Sequence, residues 1–206
     1  MNTAQARLTF FIRDTPGTNW RAVGNSRRAV VGASGLAWGN LFDKFKRSNE
    51  PSKHEGDRRS PAGFFKLGQS FGFGPSKLPD YIQVQAGDTV CVEDPSSKFY
   101  NMITRRSRLE PGIRADEMRA NNSYRIGVFI NYPTDRTHKR GSCMFVHLWR
   151  SPTRGTAGCI GLDEAGVAAV QKFARQGAVL GILPLPLPPH LGRCLLGAAG
   201  SIQPEN

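Results

Sequence analysis

Long apolar runs are missing from this chain. No 18 consecutive apolar residues occur, which excludes a membrane-spanning helix of ordinary length. Acidic residues are scarce beside basic ones, 16 Asp and Glu against 28 Lys and Arg, and the resulting charge of +12 points to a polyanionic partner or surface. Cysteine is sparse: positions 91, 143, 159 and 194 form no CxxC pair and no zinc-ribbon spacing. A metal reading of Cys143, His147 and Cys159 lacks a fourth ligand, so no metal and no cofactor is expected. The first residues lack the basic segment, apolar stretch and small-residue cleavage site of a secretory signal. The nucleophile-elbow pattern G-x-S-x-G is also absent, since Ser34 in Gly32-Ala33-Ser34-Gly35 stands one residue short of it.

Glycine and proline are plentiful, 23 and 14 residues, and hydrophobic residues make up 39%. This balance suits a loop-rich, mainly β protein with a few short helices better than a helical bundle. The 206 residues suffice for one domain with a full core, read here as 1–206, with a core of about 8–185 and a tail at 186–206 that holds His190 and Cys194. Strands are expected at Leu8–Arg13, Trp20–Val23, Arg28–Val31, Gly63–Leu67, Tyr124–Tyr132 and Ala178–Leu183. A hairpin is expected within Tyr81–Val92, turning at Ala86-Gly87-Asp88, a short helix at Ala115–Arg119, and a polar, basic loop over Lys44–Arg59. Apolar positions 165, 167, 168, 170, 173 and 174 mark a helix over Asp163–Gln176, with Asp163 as its N-cap and Glu164 complementing its dipole.

Chemistry concentrates between Gly141 and Leu162, GSCMFVHLWRSPTRGTAGCIGL. Taken as a strand, its first part puts Cys143, Phe145, His147 and Trp149 on one face and Met144, Val146 and Leu148 on the other. A Pro-, Thr- and Gly-rich loop then leads to Cys159, four residues before Asp163. A thiol near a helix N-terminus favours thiolate, and flanking glycines let backbone amides approach an oxyanion. A Cys–His pair is the equipment for attack on an amide carbonyl: the imidazole takes the thiol proton and later protonates the leaving amine. The amides of Cys159 and Gly158 are the candidate oxyanion donors. If Cys159 is the working thiol, any disulfide must come from the other three cysteines. The plainer alternative is that Cys159 is a buried structural thiol, as free cysteines often are. Tyr100 and Asn101 either reach the site or pack and bond neighbouring backbone.

These residues resemble the active-site segment of the YkuD-type L,D-transpeptidases of bacterial cell walls. Lys53-His54-Glu55-Gly56-Asp57 followed by Ser60-Pro61-Ala62-Gly63 resembles the K-x-E-G-D-x-x-T-P-A-G opening of one branch of that family. Asp94-Pro95 with Phe99-Tyr100-Asn101 resembles its D-P-x-x-x-x-Y-N segment, and the likeness spans about Glu50 to Leu183. Where most of the family has Ser-His-Gly-Cys, a hydrophobic residue and Arg or Asn, this chain has Thr156-Ala157-Gly158-Cys159-Ile160-Gly161.

The resemblance implies a YkuD-like β-sandwich or β-barrel catalytic domain and a periplasmic enzyme of cell-wall biogenesis. It implies a thioester on Cys159, formed from an L-centre carbonyl of a peptidoglycan stem peptide and passed to a diaminopimelate amine of a second stem. It also implies that a backbone carbonyl orients His147. Arg150 and Arg154 become carboxylate clamps, and Trp149, Thr156, Ala157, Tyr100 and Asn101 substrate contacts. Loss of the family's histidine at Ala157 and of its larger residue at Gly161 implies a more open donor side and 1,3 cross-links through L-alanine, against the ordinary 3,3 linkage. Two alternatives stand beside this reading: hydrolysis of stem peptides on the same scaffold, and a non-enzymatic basic protein that binds cell wall or nucleic acid. Nucleic acid is not the expected partner, because the basic residues fall in short scattered groups.

Overall fold

The structure is a computed structural model that describes residues 1–174 and 177–186. The expected tail beyond Pro186, with His190 and Cys194, lies outside the described residues. In chain order the strands are β1 (Gln5–Ile12), β2 (Arg21–Val30), β3 (Leu36–Trp38), β4 (Ser60–Gly72), β5 (Ile82–Gln83), β6 (Thr89–Val92), β7 (Ile103–Arg105), β8 (Ala115–Glu117), β9 (Ile126–Asn131), β10 (Phe145–Leu148), β11 (Ile160–Leu162) and β12 (Val179–Ile182). The helix α1 (Glu164–Phe173) joins them, with short 3₁₀ turns between strands. The protein is mainly β. Nine strands form one sheet, whose path runs β1-β2-β11-β10-β9-β4-β12 with β3 and β5 added to β4; a second sheet has the order β7-β6-β8.

β10 is central because both of its faces are buried. Val146 and Leu148 enter a cluster with Trp38, Phe65, Ile130, Leu162, Val167 and Val170. Phe145 enters the other, with Phe71, Val84, Met118 and Tyr124. This is the alternation expected of a strand, with apolar partners on each side. α1 closes the first cluster. Asp163 caps it by accepting from the Gly166 amide at 2.7 Å, and Glu164 pairs with Arg125 at 2.5 Å.

Several expected elements differ, each for a tertiary reason. The two short strands at Trp20–Val23 and Arg28–Val31 are one strand, β2, which pairs with β1 from Gln5↔Val30 to Ile12↔Arg21 around a bulge. β4 runs from Ser60 to Gly72, well past Leu67, because β9 lies along it. The Tyr81–Val92 hairpin does not form: β5 adds parallel to β4, while β6 turns away to pair with β7 and β8. Ala115–Arg119 is not a helix but β8 followed by a 3₁₀ turn, since Val92↔Ala115 and Cys91↔Asp116 pairing satisfies its backbone. β9 starts at Ile126, after a 3₁₀ turn over Asn122–Arg125. The Lys44–Arg59 segment is largely loop, with Lys53 buried in it.

One polar side chain fastens α1 to the sheet. Gln171 is buried, and its Nε2 donates to the Phe71 carbonyl at 3.1 Å and the Gly127 carbonyl at 2.9 Å. Replacing it with an apolar residue of similar size leaves those carbonyls without that donor. Gln171→Leu is expected to lower stability by about 1–3 kcal/mol, read as a lower urea midpoint at unchanged slope.

Candidate active site

Parallel pairing of β10 with β11 sets the geometry, with Val146 opposite Ile160 and His147 opposite Gly161. Cys159 precedes Ile160 by one residue, so it lies level with Phe145. Side chains at period two share a face, which puts Cys159 diagonally beside His147 on the side of β10 where Phe145 and Tyr124 pack. Cys159, the last residue before β11, and His147, in β10, therefore fall on one side of the sheet. Cys159 is the free cysteine among the described residues.

The imidazole is held by backbone. Its Nδ1 lies 2.8 Å from the Leu148 carbonyl; a carbonyl only accepts, so Nδ1 carries the hydrogen and Nε2 presents a lone pair. The Tyr124 ring meets the His147 ring edge-on at 5.3 Å. Burial lowers the pKa of His147 from 6.5 to about 4, the Leu148 carbonyl raises it in part, and Arg150 lowers it again. The ring is neutral at pH 7, as a general base must be.

The thiol is buried. Cys159 is the last residue of the loop before β11, yet it packs in the cluster of Phe71, Met118, Tyr124 and Phe145. It does not sit at the helix N-terminus, because β11 intervenes before α1. Burial pushes its pKa up from 9.0 to about 12; the Phe145 amide and Lys53 pull it back, while Asp116 and Glu93 push it further. The resting group is a neutral thiol, and its Sγ donates to the Cys143 carbonyl at 3.7 Å.

Hydroxyls clamp the backbone around the sulfur. The Cys159 carbonyl accepts from Ser60 Oγ at 3.0 Å and from Thr156 Oγ1 at 2.6 Å. Thr156 Oγ1 also accepts from the Gly158 amide at 3.1 Å, so that amide, expected to hold an oxyanion, is already engaged. Gly158 has φ +153°, strained for any other residue, and a Cβ there would lie 3.2 Å from the Arg59 carbonyl. Beneath the loop, buried Lys53 donates to Asp57 Oδ1 and to the His54 carbonyl, both at 2.6 Å. The Ser142 hydroxyl donates to Glu55 at 3.0 Å. The Lys53 to Asp57 segment thus braces the loop that enters β10.

Cys143 departs from the strand reading. β10 begins at Phe145, Cys143 sits at φ +53°, and its sulfur is bonded to Cys91. It is therefore neither a free core thiol nor a metal ligand. Among the described residues no three His, Cys, Asp or Glu side chains are grouped to hold a metal ion. Asn101 accepts from the Cys143 amide at 2.8 Å and donates to the Tyr132 carbonyl at 3.1 Å. Tyr100 is buried, with Arg136 over its ring at 5.7 Å. Both residues also line a recess of about 440 Å³.

A larger cleft of about 770 Å³ opens at the end of β10, lined by Trp149, Arg150, Asp116, Asn121, Asp163 and Glu164 among others. Neither Cys159 nor His147 lines it; Asp116 links the two places, since it lines the cleft and is among the groups that, after burial, push the Tyr124 pKa up. Trp149 is outside β10, half-buried, and its amide donates to Leu162 at 2.9 Å. Arg154 is exposed and lines neither recess, so the structure does not bring it to Arg150. Ala157 is exposed. Gly161 does not open the donor side: a Cβ there would meet Val30 Cγ2 at 2.7 Å and Trp149 Cβ at 3.1 Å. β2 and Trp149 fill the space beside it.

Asp116, Tyr124, Ser60 and Cys91 were not among the expected site residues, and spacing alone carries no signal for them. Ser60 alone fell within a quoted motif. Comparison of the chain with protein-family models, with curated proteins and with solved structures finds no match.

The two shifted groups make stability depend on pH at both ends. For His147 the folded pKa lies below the unfolded 6.5, so protons bind the unfolded state better and stability falls as pH drops from about 6.5 towards 4. For Cys159 the folded pKa lies above the unfolded 9.0, so the unfolded thiol ionises first and stability falls as pH rises past 9. Urea midpoints across pH 4–11 are expected to show both limbs; His147→Gln should flatten the acid limb and Cys159→Ala the alkaline one.

Proposed function

We propose that the protein is a cysteine acyltransferase of L,D-transpeptidase type acting on peptidoglycan stem peptides. One observation carries the reading: Cys159, immediately before β11, falls on the same side of the sheet as His147 of β10, with Nδ1 of the imidazole tied to the Leu148 carbonyl. That tie leaves Nε2 to take the Sγ proton as sulfur attacks an L-centre carbonyl. The imidazolium then protonates the departing amine and a thioester remains. An acceptor amine attacks the thioester, gives its proton to Nε2, and the thiol is restored.

Burial of the pair fits chemistry that starts when a substrate arrives. A neutral thiol beside a neutral imidazole costs little while water is excluded, and proton transfer is coupled to attack. Trp149 and Arg150 in the large cleft offer an apolar face and one cation to a peptide, beside the carboxylates of Asp116, Glu117, Asp163 and Glu164. The Cys91–Cys143 disulfide favours an oxidising compartment such as the periplasm. No helix among the described residues is long and apolar enough to cross a membrane. Exposed Ala157 supports the 1,3 linkage: where the family has a histidine, a small side chain leaves room for the stem to shift, so that its first L-alanine meets Cys159. The burial of Cys159 among Phe71, Met118 and Phe145 favours one rival, a structural thiol in a basic binding protein.

Purified muropeptides separate these readings. Wild type is expected to yield dimers with an L-alanine carbonyl joined to a diaminopimelate amine, read by tandem mass spectrometry. Dimers that retain D-glutamate and diaminopimelate on the donor side mean 3,3 linkage, trimmed monomers mean hydrolysis, and unchanged substrate favours the structural thiol. Cys159→Ala is expected to abolish turnover, and full activity in that variant ends the cysteine-enzyme reading. His147→Ala should lower the rate on the order of 10²–10⁴-fold.

A further inference from the structure

We propose that the Cys91–Cys143 disulfide, together with Asn101, is the positioning device of the Cys159 thiol, so that acyl transfer needs the oxidised protein. This rests on the reading of Cys159 as the nucleophile. The path from disulfide to nucleophile is short: Cys143 carries the carbonyl that accepts from Cys159 Sγ at 3.7 Å. Cys143 adopts φ +53°, a left-handed conformation that a residue with a Cβ avoids unless its surroundings impose it. Two bonds impose it. The side chain is tied to Cys91, and the amide is tied to Asn101 Oδ1 at 2.8 Å. Asn101 is itself at φ +61° and anchored through Nδ2 to the Tyr132 carbonyl.

Cys91 stands at a junction. It lies in β6 opposite Asp116 of β8, and the Asp116 carboxylate acts on Tyr124, whose ring packs on His147. The small sheet therefore reaches the nucleophile through the disulfide and the base through Asp116 and Tyr124. Cys91, Cys143 and Cys159 share one buried cluster with Tyr124 and Phe145. Cutting the disulfide lets Cys143 return to negative φ. The 143–144 peptide then rotates, and the thiol loses the carbonyl that aims it. Reduction by an external dithiol is two thiol–disulfide exchanges: the first thiolate attacks one sulfur and releases the other, the second closes the reagent's own disulfide, and Cys91 and Cys143 each gain a proton.

The residues that face the thiol set how it responds. Asp116 and Glu93 oppose the thiolate, while Lys53 and the Phe145 amide favour it. All of them except Lys53 lie in β10 or in the small sheet and its edges. A loosened small sheet therefore changes both the aim of the thiol and the pH at which it ionises.

The test compares oxidised protein, protein reduced with dithiothreitol, Cys91→Ala/Cys143→Ala, and Asn101→Gly, which keeps both the disulfide and a residue tolerant of φ +61°. Two quantities are read for folded samples: kcat and KM for muropeptide turnover, and the pH midpoint of iodoacetamide alkylation at the Cys159 peptide, resolved by mass spectrometry. Reduction, the double variant and Asn101→Gly are each expected to lower kcat by about 10- to 100-fold, the scale of a small misplacement of reacting atoms, with KM within about twofold. The alkylation midpoint should fall from well above 9 towards the ordinary thiol range of about 8.5, and dithiothreitol should have no further effect on the double variant. Reduced protein with unchanged kcat and midpoint overturns the proposal. If the double variant does not fold, Asn101→Gly with an unchanged midpoint overturns it equally. Activity that survives Cys159→Ala instead removes the nucleophile reading. If wild type shows no turnover, the alkylation midpoints alone decide the positioning claim.

Discussion

The parallel pairing of β10 with β11 is the constraint on which the site depends. Only three residue pairs make it, yet it sets His147 and Cys159 on one side of the sheet although the two strands are separated by a loop of eleven residues, 149–159, that ends in Cys159. Parallel neighbours cannot be joined by a tight turn, so the connecting segment must leave the sheet and return. That return brings Cys159 in just before β11. The loop must then be held without regular hydrogen bonding, which is why Ser60, Thr156 and the close approach of Gly158 to Arg59 converge on it.

Burial is the second organising fact. β10 is covered on both faces, so its histidine and the neighbouring thiol are removed from water and both rest neutral. Each would be costly as an isolated ion there, whereas a proton moved from one to the other creates no net charge. The surroundings are not indifferent. Asp116 and Glu93 lean against a thiolate, and the Phe145 amide and Lys53 lean towards it. The buried Lys53–Asp57 pair supports the neighbouring loop, and losing one partner would strand the other's charge.

Residues close together in sequence act together in the structure. Lys53, Glu55, Asp57 and Ser60 all brace the loops around Cys159 or Cys143. Asn101 holds Cys143. Glycine at 161 has a packing cause, since β2 crosses close above it through Val30. Ala157 faces solvent.

Much of the local pattern was legible in the chain itself. Alternation over Phe145–Leu148 and periodicity after Asp163 mark β10 and α1, because burial of one face or stripe leaves a signal with the period of the element. The candidacy of Cys159 and His147 was likewise readable from residue types and the glycines beside them. What only the tertiary structure decided is everything carried by non-local partners. β8 in place of a helix at Ala115–Glu117, the absent hairpin at Tyr81–Val92, the joining of Cys91 to Cys143 and the Asp116–Tyr124 contact all depend on pairing across dozens of residues. Such pairing is chosen by what lies alongside in the folded sheet, so the sequence of either partner alone carries no record of it.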